Sequence, residues 1–180
     1  MCSSDLHTGA LLMHAYDQFE VVAGAGTLAA EMEQEAGLPD RILVSVGGGG
    51  LIAGIAAWCE SRTRVEAVEP ELAPTLHAAR AAGHPVDVSV GGVAADSLGA
   101  RRIGELAWAI SQSQVAASHV VSDDAIKRAQ QRLWSQMRLA VEPAAALPLA
   151  ALVEGVVRPE AHERVALIVC GANVDPASLT

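Results

Sequence analysis

Apolar positions along the chain switch between a helical rhythm and short unbroken runs. Thr27 reads as an N-cap, and Leu28, Met32 and Ala36 form one stripe of a helix that Gly37 ends. Residues 41–46 (RILVSV) are a short apolar run of the kind found in buried parallel strands. The run leads straight into Gly47, Gly48, Gly49 and Gly50, and residues 51–59 predict a helix. Residues 64–68 predict a second strand that closes on Glu69-Pro70, and residues 73–82 a helix stopped by Gly83 and Pro85. Residues 86–98 are irregular and rich in Gly, Ser and Asp, which marks a candidate functional loop.

A further helix is predicted over 101–111 and a short strand over 118–121. Ser122 then caps a long helix to residue 138, with Asp123 and Asp124 at its positive end. Ile126, Ala129, Leu133 and Met137 form its apolar stripe. Glu142-Pro143 breaks it, and residues 144–153 predict another helix. Residues 164–169 form the last apolar strand, ending at Cys170-Gly171-Ala172-Asn173. Residues 1–13 have no clear period. Strands alternating with helices predict an α/β fold with a mostly parallel sheet flanked by helices. Ligands in such folds sit outside the carboxyl ends of the strands. Loops 47–50, 69–75 and 170–175 fall on that edge.

Composition narrows the function. The 180 residues are 51% hydrophobic and only 3% aromatic, with a net charge of −9. A negatively charged chain with few aromatics suits neither a phosphate backbone nor base stacking, so no nucleic-acid partner is expected. No apolar run is long enough to span a bilayer, so no membrane partner is expected either. Cys2, Cys59 and Cys170 are odd in number and unpatterned. They read as thiols of a reducing, cytoplasmic setting. Against 11 arginines stands a single lysine, Lys127.

Four glycines between a strand and a helix allow the backbone to approach an anion closely. The amides of Gly47, Gly48, Gly49, Gly50 and Leu51 can face a phosphate, with the helix dipole behind them. The competing reading is a tight turn packed with small residues, which needs only one or two glycines. Gly48 to Ala53 also satisfies G-x-G-x-x-G/A, and Glu69 lies 21 residues after Gly48, where a ribose-binding acid would sit. A Rossmann-type dinucleotide site is therefore an alternative.

The stretch VSVGGGGLIAG at 44–54 resembles the phosphate loop of fold-type II pyridoxal-phosphate (PLP) enzymes, within the serine/threonine dehydratase and serine racemase group. The resemblance extends through VAGAGT (22–27), AVEP (67–70), Gly92-Val93, VEPAAA (141–146) and CGANVD (170–175). It covers about residues 14–179. It implies the large cofactor domain of such an enzyme, with PLP as cofactor. Gly47, Gly48, Gly49, Gly50 and Leu51 would hold the phosphate. Cys170 would stand where the family sets a serine, threonine or cysteine against the pyridine nitrogen. Read from the residues alone, without the resemblance, Cys170 is a buried structural thiol. Glu142 matches the family's Glu-Pro near the cofactor, and also suits a simple helix N-terminal acid. Gly92 and Ser97 are candidates to face cofactor or substrate. The implied reaction is β-elimination of water and ammonia from L-serine or L-threonine, giving a 2-oxo acid. Racemization and hydroxyaspartate dehydration are the alternatives within the same group.

The chain also departs from the pattern. Ala25, Gly91 and Ala172 replace the family's usual glutamine, aspartate and glycine. The racemase-like branch holds a divalent cation through a glutamate, a backbone carbonyl and an aspartate. Glu69 and Ala73 match the first two, but Thr75 stands in place of the aspartate, so no metal site is assigned. The family's Schiff-base lysine has no match, because Lys127 falls on the polar face of its helix. No catalytic residue is therefore assigned. The expectation is a partial PLP-binding large domain over 14–180, inactive alone, from a homo-oligomeric parent. Residues 1–13 are read as non-family sequence, since CSSDL resembles the translation of a sequencing-adapter end.

Overall fold

The computed structural model describes residues 13–179, so Cys2 and nearly all of the 1–13 segment lie outside the described residues. One sheet of four parallel strands carries the fold, in the order β3-β2-β1-β4. The strands are β1 (Arg41–Ser45), β2 (Arg64–Pro70), β3 (Val115–Val121) and β4 (Val165–Leu167). Six α-helices connect and cover them: α1 (Phe19–Ala36), α2 (Gly50–Cys59), α3 (Thr75–Ala82), α4 (Glu105–Gln114), α5 (Asp123–Arg132) and α6 (Pro143–Val153).

Successive residues of a strand point to opposite faces, and both faces of this sheet are covered. Ile42, Val44, Val46, Val65 and Ala67 pack against α1–α4 through residues such as Ile52, Ile55 and Leu76. Leu43, Val68 and Val121 pack on the other side against α5 and α6 through Ile126, Ala146 and Leu147. Two-sided burial is why residues 41–46 read as an unbroken apolar run. Among the described residues, no helix is long and apolar enough to cross a membrane.

Several element boundaries differ from the sequence expectation. Helix α1 begins at Phe19, well before Thr27. Thr27 is not a cap but donates its hydroxyl to the Gly24 carbonyl within the helix, at 2.8 Å. Gly26, just before Thr27, serves packing against α2. A Cβ on Gly54 would come within 2.3 Å of the Val22 carbonyl oxygen and 2.5 Å of the Gly26 nitrogen, so α1 and α2 touch backbone to backbone. Helix α4 starts at Glu105, not at 101. Its cap is Asp17, whose carboxylate accepts from the Glu105 and Leu106 amides at 3.0 Å each. That partner is 88 residues away in sequence, beyond any local signal.

The helix predicted to residue 138 stops at Arg132 and passes into a π turn over Leu133–Met137, closed by Arg138 at φ 58°. The wider turn rotates Met137 off the apolar stripe, leaving it 63% exposed, while Ile126, Ala129 and Leu133 stay buried. Ser122 does cap α5, accepting from the Ala125 amide at 3.3 Å. Strand β4 spans three residues, so Cys170 lies just past the sheet and not at a strand end.

One charged group is buried on the α5/α6 face. The Arg41 guanidinium donates to both Glu66 oxygens, at 2.9 and 3.0 Å, and to Glu163 at 2.8 and 3.1 Å. Arg64 and His119 also reach Glu66, each at 3.0 Å. Burial pushes the Glu66 carboxyl up, but the His119 hydrogen bond and the Arg41, His119 and Arg64 charges outweigh it and hold it below the usual carboxylate range. A lowered folded-state value means that Glu66 adds stability above the ordinary carboxyl range, and that this stability is lost as pH falls through the lowered value. Glu66→Ala leaves Arg41 half-paired in the interior. Urea unfolding at pH 7 should register a loss of about 3–5 kcal/mol. The gap between variant and wild type should narrow as the pH is taken below about 4. A variant as stable as wild type at pH 7 would remove the network from any account of the fold.

Candidate cofactor site

The chain steps from β1 to β2 to β3 in one direction, then returns to lay β4 on the far side of β1. The chain order reverses between β1 and β4, and in such sheets a crevice opens outside the carboxyl ends at that point. A cleft of about 400 Å³ lies there. Gly47, Gly48, Gly49, Gly50 and Leu51 line it from β1, and Cys170 lines it from β4. The six residues assigned from sequence to the cofactor therefore share one cleft.

Helix α2 begins inside the loop, at Gly50, with Gly49 as its N-terminal residue in the left-handed region at φ 92°. No side chain caps this end, so the first amides of α2 lack a side-chain acceptor and the positive end of the helix is open to an anion. Packing also demands the glycines. A Cβ on Gly48 would lie 2.2 Å from the Tyr16 ring, and one on Gly49 would lie 2.5 Å from Ile103 Cδ1. The tight-packing reading and the anion reading thus both hold for the same backbone. Bare amides, an open helix N-terminus and the absence of any side chain on residues 47–50 fit a phosphate group.

Across the cleft, Cys170 is exposed. The surrounding protein and the Glu142 carboxylate nevertheless push its thiol up, so it stays protonated at neutral pH. Ser45, beside it in the cleft, donates to the Ala144 carbonyl at 2.5 Å. Pro148, inside α6, has no N–H to offer the residue four positions earlier, which is Ala144. The Ser45 hydroxyl satisfies that carbonyl instead. Glu142 precedes α6 but makes no side-chain bond to the α6 amides. Its carboxylate accepts from the Asn173 amide at 3.3 Å and packs on Gly171, where a Cβ would lie 2.3 Å from Oε1. The glutamate thereby braces the turn that follows Cys170.

The remaining candidates divide between the cleft and other places. Ser97 lines the cleft, but Gly92 does not: at φ 78° it packs against the Asp123 carboxylate. The Asp123 carboxylate accepts from the Val93 amide at 3.0 Å. Glu69 is fully buried behind α3 and accepts from the Leu76 and His77 amides at 2.7 and 2.8 Å and from Ser118 at 2.8 Å. Burial pushes its carboxyl up to about 7 against these donors. It is not a cleft residue, so the ribose partner required by a dinucleotide site is missing. Lys127 is exposed, 3.9 Å from Asp124, and does not line the cleft.

Sequence reasoning missed Tyr16, Ser45 and the 98–100 wall. Tyr16 is the chain's one tyrosine and precedes the α4 cap Asp17, a juxtaposition visible in the sequence only in retrospect. Pro148 within an apolar helical run was the available sign that some donor must serve Ala144.

Comparison with known proteins agrees with this geometry. The family model described as "Pyridoxal-phosphate dependent enzyme" matches residues 3–171. Phenylserine dehydratase of Ralstonia pickettii is 35% identical over 173 residues, covering 94% of this chain and 53% of that protein. Serine racemase of Mus musculus is 34% identical over 184 residues, covering 96% and 52%. The crystal structure of a T.th. threonine deaminase superposes with a TM-score of 0.87 at 34% identity, covering 96% of this chain and 64% of that one. The chain spans about half the length of the curated relatives it matches. Glycine loop, switch-point cleft and matched relatives agree on one family: the chain belongs to the fold-type II pyridoxal-phosphate dependent enzymes, in the serine/threonine dehydratase group, whose cofactor is pyridoxal phosphate.

Proposed function

We propose that residues 14–180 are part of the PLP-binding large domain of a cytoplasmic, homo-oligomeric dehydratase that eliminates water and ammonia from L-serine or L-threonine. The observation that carries the reading is the single cleft in which the glycine loop faces Cys170. When bound, the cofactor supplies an electron sink for charge developing at the substrate Cα. The chain's own residues bind and orient. Amides of residues 47–51 and the positive end of α2 take the phosphate. Tyr16 packs its ring on Gly48 at the wall of the same cleft. Cys170, kept as a neutral thiol, is a weak donor toward the ring nitrogen and does not protonate it. A donor this weak would suit a reaction that expels the β-hydroxyl. Glu142 holds the 171–173 turn, and with it Cys170, in register with the cleft.

The reading gives no catalytic role to Lys127, whose exposed side chain lies outside the cleft. The 180-residue chain is then inactive by itself, since no base is positioned at the substrate Cα. Racemization at the same site is the second reading, favoured by the similarity to mouse serine racemase. Product analysis of the parent enzyme separates a 2-oxo acid from a D-amino acid.

Three outcomes test the proposal. In the parent enzyme, Gly48→Asp should abolish PLP retention, because a carboxylate would occupy the phosphate position and its Cβ would meet Tyr16. Absorbance of the dialysed protein reads this directly, and unchanged retention would overturn the loop assignment. Cys170→Ser should keep most activity, whereas Cys170→Asp should protonate the ring nitrogen and divert product toward transamination. Identical product ratios for wild type and both variants would remove Cys170 from the ring. Finally, the 180-residue chain incubated with PLP and L-serine or L-threonine should give no 2-oxo acid above free PLP. Borohydride should trap only weak adducts, at Lys127 or the N-terminal amine. Turnover abolished by Lys127→Ala would show that the lysine has been misassigned.

A further inference from the structure

Behind the glycine loop, on the side away from the cleft, lies a closed polar contact. Thr75 opens α3 and is fully buried. Its Oγ1 lies 2.5 Å from the Gly47 carbonyl oxygen and 3.3 Å from Glu69 Oε1. We propose that Thr75 is a positioning residue for the phosphate loop, clasping Gly47 to buried Glu69 through its hydroxyl at the place where the racemase-like branch holds a divalent cation. The inference rests on the reading that the loop takes the cofactor phosphate.

The residues present do not fit a cation. A carboxylate offers about four lone-pair sites. Glu69 already accepts from three donors, the Leu76 and His77 amides and the Ser118 hydroxyl, and the Thr75 hydroxyl, whose one proton points to the nearer Gly47 oxygen, fills the space beside Oε1. The Ala73 carbonyl, the second position of the branch's cation site, accepts from the Thr75 amide at 3.2 Å. The third position is a hydroxyl that brings a proton of its own where a ligand would bring negative charge.

Peptide planarity connects the clasp to the cleft. The Gly47 carbonyl and the Gly48 N–H belong to one peptide group, and the described chain has no cis bonds. In a trans peptide the two point in opposite directions. Holding the carbonyl against Thr75 therefore aims the Gly48 amide away from α3, toward the cleft that Gly48 lines. Gly47 has no side chain to set this orientation, and its neighbour Leu98 closes the other side, where a Cβ would lie 3.1 Å from Leu98 Cδ2.

The test uses the 180-residue chain, with inorganic phosphate and PLP as probes, read by calorimetry and by the shift of the Gly48 amide in ¹⁵N spectra. Wild type should bind both, with phosphate competing against PLP. Thr75→Val should weaken phosphate binding about 5–10-fold, and Thr75→Ser should restore it to within about 2-fold. Neither EDTA nor added Mg²⁺ or Ca²⁺ should move the wild-type melting midpoint or its phosphate affinity. Wild-type affinity in Thr75→Val would overturn the clasp while leaving the loop reading intact. So would a cation-dependent midpoint that EDTA reverses. Failure of the wild type to bind either probe would overturn the loop reading and the clasp with it. If Thr75→Val does not fold, the EDTA and cation measurements on wild type still decide for or against the proposal.

Discussion

Between β1 and α2 the backbone runs for four residues without a Cβ, and the side chains nearby pack directly against it. Residues 47–50 carry no Cβ because Tyr16, Ile103, Ala107 and Leu98 occupy the space that Cβ atoms would need. The Gly48 carbonyl accepts from the Gly104 amide at 3.0 Å, and Asp17 caps the helix that follows Gly104. The loop is thus tied to α4 through two peptide groups and a carboxylate. The Gly47 and Gly48 carbonyls are both held by protein donors.

Close approach also governs the layer behind the loop. Helix α2 can start at Gly50 and run beneath the sheet edge only because α1 meets it at Gly26 and Gly54 without side chains between them. Large aliphatic residues fill the rest of that layer, with Ile42, Ile52, Ile55 and Leu76 fully buried or nearly so. The loop therefore rests on a closely packed base, which limits how far its amides can drift from a bound anion.

Buried charge is divided between two glutamates of one strand, and their environments drive them apart. Glu66 faces guanidinium groups and an imidazole and stays below the usual carboxylate range. Glu69, three residues on and on the opposite face, meets only neutral donors and rises to about 7. The alternation of strand faces decides this, since residues 66 and 69 must point to opposite sides of the sheet. One carboxylate anchors the end of the sheet far from the cleft. The other braces the helix whose first residue touches the glycine loop.

The sequence by itself determined the parallel α/β fold, because two-sided apolar runs such as 41–46 admit little else. It also pointed to the glycine loop, because four glycines after a strand mark a carboxyl end, while Cys170 was assigned to the cleft by the motif resemblance. The motif resemblance then identified the family. Tertiary structure decided what depends on partners distant in the chain. Thr27 looked like a cap and lies mid-helix because α1 begins at Phe19 and packs Gly26 against Gly54 of α2. Helix α4 starts at Glu105 because Asp17 arrives from elsewhere to cap it. Met137 left its stripe when the helix widened into a π turn. Glu69 fell in the right place for a ribose acid, yet the N-terminus of α3 folded over it and took its oxygens. Local pattern fixes which residues lie along an element and toward which face. Which donor reaches which acceptor is set by packing between elements, and a one-dimensional pattern does not encode that geometry.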